Sequence, residues 1–235
     1  MSLFRLKQFT IQQELSALKV GTDGMLLGAW VADRFHETPP SSILDVGTGT
    51  GIIALMLAQE LLRSKVVGIE VDPLSTQEAQ YNAQHSPFAS RVEIIQGDFR
   101  ACHFAQPFDL IVSNPPYFTP THSNSDRRET IAKHAVELSP QHFFSNCQGT
   151  NVVIIVAQSA TSLYQHAAEE AGLHLVEQVA IITKRGKAPQ RHILRFAPDP
   201  VVSTKQSQLT ILQGDSRHDY TEEYSRLLRP FLTIL

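Results

Sequence analysis

A chain of 235 residues is long enough for one α/β domain with a sizeable core, and no stretch of it reaches the length of an apolar membrane-spanning helix. Its 42% apolar and 18% charged residues are those of an ordinary globular domain; Cys102 and Cys147 stand too far apart, without ligand residues nearby, for a disulfide framework or a zinc site. The net charge of −3 argues against a uniformly basic binder of nucleic acid, but the charge is segregated: Lys184–Arg195 holds five Lys or Arg and no acid, whereas residues 60–110 hold seven acids against four bases.

The N-terminal residues "MSLFRLKQFTIQQEL" alternate polar and apolar positions and contain no signal-peptide core, so a cytoplasmic location is expected. A helix is expected over Asp23–Phe35, with Trp30 in the core at helical spacing from Leu26 and Leu27. Thr22 or Asp23 is either the cap of that helix or, with Lys19, part of the mouth of a site. Beyond Pro39–Ser42 the pattern alternates. "SILDV", "KVVGIEV", "RVEIIQG", "FDLIVSN" and "NVVIIVA" read as short buried strands. "GIIALMLAQELL", "PLSTQEAQYNAQ" and a stretch over Glu129–Cys147 read as helices between them. Buried strands separated by helices imply a doubly wound, mostly parallel sheet, the Rossmann-like α/β class. After Gly172, "LHLVEQVAIITK" and "RHILRFAP" read as an antiparallel edge hairpin, "QLTILQ" as one more edge strand, and "TEEYSRLLRPFL" as a terminal helix with a Thr cap. Residues 1–235 thus form one domain: an N-terminal cap segment (1–40), a core (41–172), and a hairpin with a terminal helix (173–235).

In such sheets ligands sit beyond the carboxyl ends of the strands, where the winding reverses. The first strand ends in "DVGTGTG", with Gly47, Gly49 and Gly51 free to make a tight turn against a ligand. No Gly-Lys-Ser/Thr is present for a Walker loop, and the dinucleotide fingerprint fails because Ile52 stands where its third glycine belongs. Asp45, directly before the loop, suits a ligand with an ammonium group and no phosphate; S-adenosylmethionine is such a ligand. Glu70 ends the second strand 23 residues after Gly47, where a carboxylate can accept both hydroxyls of a ribose; an exposed strand-end acid is the plainer alternative. Asp72, beside Pro73, reads as a helix cap. Asp98, after the third strand, could accept an adenine amino group or simply belong to a Gly-Asp turn.

The fourth strand ends in Asn114, Pro115, Pro116 and Tyr117. Two prolines cannot continue a central strand. An exocyclic amino nitrogen is a poor nucleophile, because its lone pair is delocalised into the ring. The Asn114 side-chain oxygen and the Pro115 carbonyl, held rigid by the prolines, can accept its N–H groups and turn that lone pair toward a methyl donor. Tyr117 offers a flat face for a base, a contact worth roughly 1–3 kcal/mol. A Pro-Pro turn with no chemistry is the alternative.

Asp45–Gly51, Glu70 and Asp98 resemble the ordered cofactor motifs of class I S-adenosylmethionine-dependent methyltransferases, a resemblance that covers roughly Ser41–Ala157. It implies S-adenosyl-L-methionine as cofactor. "NPPY" is similar to the signature of members that methylate planar amino or amide nitrogens. With only 44 residues before Asp45, the helical bundle usual in protein-glutamine methyltransferases has no room. "FRLKQFTIQQ", "LKVGTDGMLLGAW" and "DYTEEYSRLLRPFL" resemble segments of the bacterial tRNA1(Val) adenine-N6 methyltransferases, and carry the likeness over the whole chain. That family methylates adenine 37, beside the anticodon. The resemblance therefore implies a tRNA partner, met at its anticodon loop with the target base flipped out. N5-glutamine methylation of a release factor and guanine-N2 methylation of ribosomal RNA are the alternatives. Lys184, Arg185, Lys187 and Arg191 could grip phosphates, or form a solvated loop. Ten histidines show no metal spacing, so no metal is expected, and a monomer is expected.

Overall fold

The computed structural model describes residues 2–102, 104–115, 138–147, 149–216 and 218–233. Pro116 and Tyr117 lie outside the described residues, as does most of the stretch expected to be helical from Glu129.

Strands β1 (Leu3–Arg5) and β2 (Thr10–Gln12) pair antiparallel as a separate ribbon. The chain then crosses to helix α1 (Thr22–Phe35). Gly24 through Ala32 are all buried, so the middle of α1 has no solvent face, as expected of a helix that is apolar all round. Full burial of a side chain such as Leu27 or Val31 contributes roughly 1.5–3 kcal/mol. Helix α1 belongs to the main hydrophobic core, and Leu6, Phe9 and Ile11 of the segment before it are buried in the same core.

The central sheet grows from β3 (Ser42–Val46), α2 (Ile52–Glu60), β4 (Lys65–Glu70), α3 (Pro73–Gln84), β5 (Val92–Gln96), β6 (Leu110–Ser113), α4 (Pro140–Ser145), β7 (Asn151–Ala157) and α5 (Thr161–Glu170). These strands lie in the order β5-β4-β3-β6-β7, each neighbour parallel. The winding reverses between β3 and β6. The hairpin β8 (His174–Lys184) and β9 (Arg191–Ala197) follows, with β9 inserted antiparallel between β7 and β8. Strand β10 (Lys205–Leu212) extends the edge parallel to β8, and α6 (Glu222–Leu228) closes the fold. Because β9 alone opposes the sheet, β8 ends at Lys184 on the same edge where β3, β4 and β6 end.

Side chains alternate between two cores. Ile43, Val153 and Ile155 face α1 and α2; Leu44, Val46, Val152 and Ile154 face Phe143, Phe144 and Tyr164. Gly28 lets α1 approach α2 closely, since a Cβ there would stand 2.9 Å from the Met56 Sδ. Asp72 caps α3 by accepting from the Ser75 amide at 2.7 Å, and Thr221 caps α6 by accepting from the Tyr224 amide at 3.2 Å. Neither Thr22 nor Asp23 caps α1; that position falls to Gly21, without a side-chain bond. Among the described residues no helix is long and apolar enough to cross a membrane, and no cluster of metal-ligating side chains occurs. Both cysteines are free thiols.

Candidate active site

A cavity of about 230 Å³ opens at the carboxyl ends of β3, β4 and β6, where the winding reverses. Its floor is the glycine loop. The Gly47 and Thr48 amides both donate to the Ile69 carbonyl, at 2.9 and 3.1 Å, which folds the loop back onto β4. Gly47 and Gly49 take φ values of +70° and +55°, and a Cβ built on either meets nothing within 4 Å. The loop is therefore a backbone cradle whose side-chain space is left open for something else.

Asp45 lies behind this cradle rather than in it. On β3 it shares the Ile43 face, and its side chain is fully buried. One carboxyl oxygen accepts from the Thr48 hydroxyl at 2.6 Å and from the Ala54 amide at 3.2 Å; the other has no partner. Ala54 is the third residue of α2, whose N-cap is Gly51, a residue with no side chain to cap with. Asp45 supplies that missing acceptor from a neighbouring strand. The expectation of a carboxylate presented directly to a ligand is corrected here, because alternation along β3 turns Asp45 inward. Burial raises its pKa to about 7, against the lowering bonds from Thr48 and Ala54, and neighbouring Glu70 adds to the rise.

Glu70 lines the cavity. It accepts from the Gly49 amide at 2.9 Å and, through its other oxygen, from the Val71 and Asp72 amides at 2.9 and 3.0 Å. Asp98 also lines the cavity, with both oxygens engaged by Arg100. The Arg100 guanidinium holds the Asp98 carboxyl below the usual carboxylate range, against partial burial. Among the described residues the lining carries three carboxylates (Glu70, Asp72, Asp98) and two cations (Lys19, Arg100), a balance that suits a ligand with positive charge.

Asn114 reaches the same cavity from the end of β6. The Ser113 hydroxyl donates to the Val46 carbonyl at 2.8 Å, which locks the end of β6 beside the start of the loop. Gly24 of α1 packs against the amide; a Cβ there would stand 3.8 Å from its Nδ2. Pro115 follows, buried.

The remaining sequence-based candidates divide. Lys19 lines the cavity, but Thr22 and Asp23 do not. Asp23 pairs with Arg191 at 3.1 Å, tying α1 to β9. Lys184 pairs with Asp215. Arg185 and Lys187 are exposed at the hairpin tip, on the sheet edge that carries the cavity.

Gly68 is a site residue that the sequence reading passed over. It stands opposite Asp45 in the β3–β4 ladder, and a Cβ on it would lie 2.8 Å from the Thr48 hydroxyl and 2.7 Å from the Ile94 Cδ1. A glycine inside a strand is the signal that marks such a close approach. Gly68→Ala is expected to push Thr48 off Asp45 and destabilise the protein by about 1–3 kcal/mol in chemical denaturation. Unchanged stability would mean that the loop yields freely.

The methyltransferase small domain family model matches residues 27–182. Curated relatives named tRNA1(Val) (adenine(37)-N6)-methyltransferase align along nearly the full length. That of Bacteroides thetaiotaomicron is 36% identical, covering 97% of this chain and 96% of its own. That of Haemophilus influenzae strain PittGG is 37% identical, covering 98% of each. That of Phocaeicola vulgatus is 39% identical, covering 97% and 96%. Among solved structures, a predicted O-methyltransferase from Agrobacterium tumefaciens superposes with a TM-score of 0.64 at 19% identity, over 89% of this chain and 96% of that one. M. jannaschii TYW2 in complex with AdoMet superposes at 0.56 and 13% identity, over 83% and 85%. At these identities the structures show a shared fold.

Proposed function

Because the chain belongs to the tRNA1(Val) (adenine(37)-N6)-methyltransferase family, within the methyltransferase small-domain group, we propose that it methylates the exocyclic N6 of adenine 37 in tRNA1(Val). The observation that carries this reading is the convergence of Asn114 and the glycine loop on one cavity, in a chain aligned with those relatives from end to end. S-adenosylmethionine is the cofactor, and when bound it supplies an electrophilic methyl group on a positively charged sulfur.

The residues present fit that cofactor. The open space over Gly47 and Gly49 admits its backbone-hugging part, and the excess of carboxylates suits its charge. Glu70 is placed to accept ribose hydroxyls, while Asp98 shares its carboxylate with Arg100. Asp45, with its orphaned buried oxygen, adds negative potential beneath the loop in its ionised form. The Asn114 side-chain oxygen and the Pro115 carbonyl accept the two N–H groups of the adenine amino group. That interaction aims the nitrogen lone pair and stabilises the positive charge that develops there. The roles expected of Pro116 and Tyr117, to restrict Pro115 and to stack on the base, fall on residues outside those described. No base is needed before transfer, since the proton leaves the cationic product afterwards.

The target adenine leaves its stack to reach Asn114. The anticodon loop then lies across the carboxyl edge of the sheet, with Arg185 and Lys187 within that edge to meet phosphates. A tRNA substrate supports a cytoplasmic location.

Labelled methyl transfer to a synthetic anticodon stem-loop tests the reading. Label on the amino nitrogen of adenine is expected, and none on the same stem-loop with unsubstituted purine at that position. Label on the purine oligonucleotide would contradict a mechanism built on amino-group acceptors.

A further inference from the structure

The segment between β2 and α1 has few apolar anchors of its own, and Leu15 and Leu18 are exposed. Yet Ala17 to Gly21 form one wall of the cavity. What holds the wall is a single stripe on α3. The Glu78 carboxylate is 3% exposed and accepts four bonds from three consecutive residues. One oxygen takes the Glu14 and Leu15 amides at 2.6 and 2.9 Å. The other takes the Ser16 amide and hydroxyl at 2.8 and 2.5 Å. Four donors fill the acceptor sites of a carboxylate.

Asn82, one turn on, clasps Gln12 through both its amide and its carbonyl, at 2.8 and 2.9 Å, and also donates to the Thr50 carbonyl of the glycine loop at 2.9 Å. Gln13 accepts from the Val20 amide at 2.8 Å and closes the segment on itself. Burial alone would raise the Glu78 pKa, but the bonds from Ser16, Leu15 and Glu14 outweigh it and hold the group below the usual carboxylate range. It is therefore an anion at neutral pH.

We propose that Glu78 is a positioning residue for cofactor binding, whose carboxylate fixes Glu14–Ser16 so that Ala17–Gly21 stand as a finished wall over the cradle. The inference rests on the reading of the cavity as the S-adenosylmethionine site. A loose strap must be ordered by each binding event, and its ordering cost appears as lost affinity. Chemistry at Asn114 lies on another element and is spared once the cofactor is bound.

Glu78→Gln keeps the shape but leaves one oxygen and an amide that faces two donors. Titration calorimetry with S-adenosylhomocysteine, hydrogen exchange at residues 14–16, and steady-state kinetics test the proposal together. Glu78→Gln is expected to raise the Kd and the cofactor KM by about tenfold or more. Exchange at 14–16 should accelerate, with kcat at saturating cofactor within about twofold of wild type. Ser16→Pro removes both donors to one oxygen while leaving α3 intact, and must raise the Kd in the same direction even if Glu78→Gln fails to fold. Faster exchange with unchanged Kd in the variants would overturn the proposal. A wild-type protein that binds no S-adenosylhomocysteine would instead overturn the reading of the cavity.

Discussion

Asn114→Ala is expected to lower turnover by at least about a hundredfold while leaving the S-adenosylmethionine Kd within about threefold of wild type. The separation follows from where Asn114 stands. Its backbone is placed by the Ser113–Val46 bond, which does not use the Asn114 amide, and Gly24 of α1 only packs beside that amide. The cradle, Glu70 and the wall before α1 remain when that amide is removed. What disappears is one of two preorganised acceptors for the amino group, an interaction that strengthens only as charge develops on nitrogen. Calorimetry and single-turnover transfer separate the two quantities. Loss of affinity in step with turnover would mean that Asn114 is structural.

The second large effect concerns Asp45. Its buried carboxyl has a pKa raised from 3.8 to about 7 in the folded chain. A carboxyl whose folded value lies above its unfolded value takes up a proton on folding. The stability it contributes is complete below about pH 4 and is lost as pH rises through about 7. A rise of that size corresponds to roughly 4 kcal/mol at most. Asp45→Asn retains an oxygen for the Thr48 hydroxyl and the Ala54 amide but cannot ionise. The variant without cofactor should therefore match or fall below wild type at pH 4 and exceed it at pH 8, by several degrees in Tm. Its affinity for S-adenosylmethionine should fall at pH 8, where the wild-type carboxyl is ionised and sets negative potential under the loop. Parallel Tm curves for both proteins from pH 4 to 8 would contradict the assignment. A stable but weak-binding Asp45→Asn would place this carboxylate among groups whose folding cost is retained for function.

Much of the sheet is readable directly from the chain because its determinants are local. Short, β-branched apolar runs such as "NVVIIVA" read as doubly covered strands, and glycines at 47, 49 and 51 mark a turn that needs positive φ. Asp72 before Pro73 and Thr221 before Glu222 announce their helices through bonds three residues long. Side-chain direction at strand ends is less legible. Asp45 reads as facing a ligand until the alternation along "SILDV" is followed through, which puts it with Ile43 under α2. Long-range partners leave no local trace. Nothing in "STQEAQYNAQ" signals that Glu78 and Asn82 hold residues more than sixty positions away. Asp23 pairs with Arg191 across 168 positions, which removes it from the cavity mouth. Gly21 takes the cap of α1, the place for which Thr22 or Asp23 was the alternative to a role at the mouth of the site. In each case the competing bond belongs to the assembled fold, and one-dimensional pattern carries no record of it.

The most direct test of the central claim uses transfer RNA from a strain that lacks this protein. That tRNA is incubated with the purified protein and S-adenosylmethionine, valine tRNA is isolated, and position 37 is read by nuclease mapping and mass spectrometry. The account predicts N6-methyladenosine at position 37 of one valine tRNA, absent before incubation. No methyl group there, with transfer instead to a release factor or to ribosomal RNA, would contradict the substrate assignment while leaving the fold and the amino-group chemistry in place.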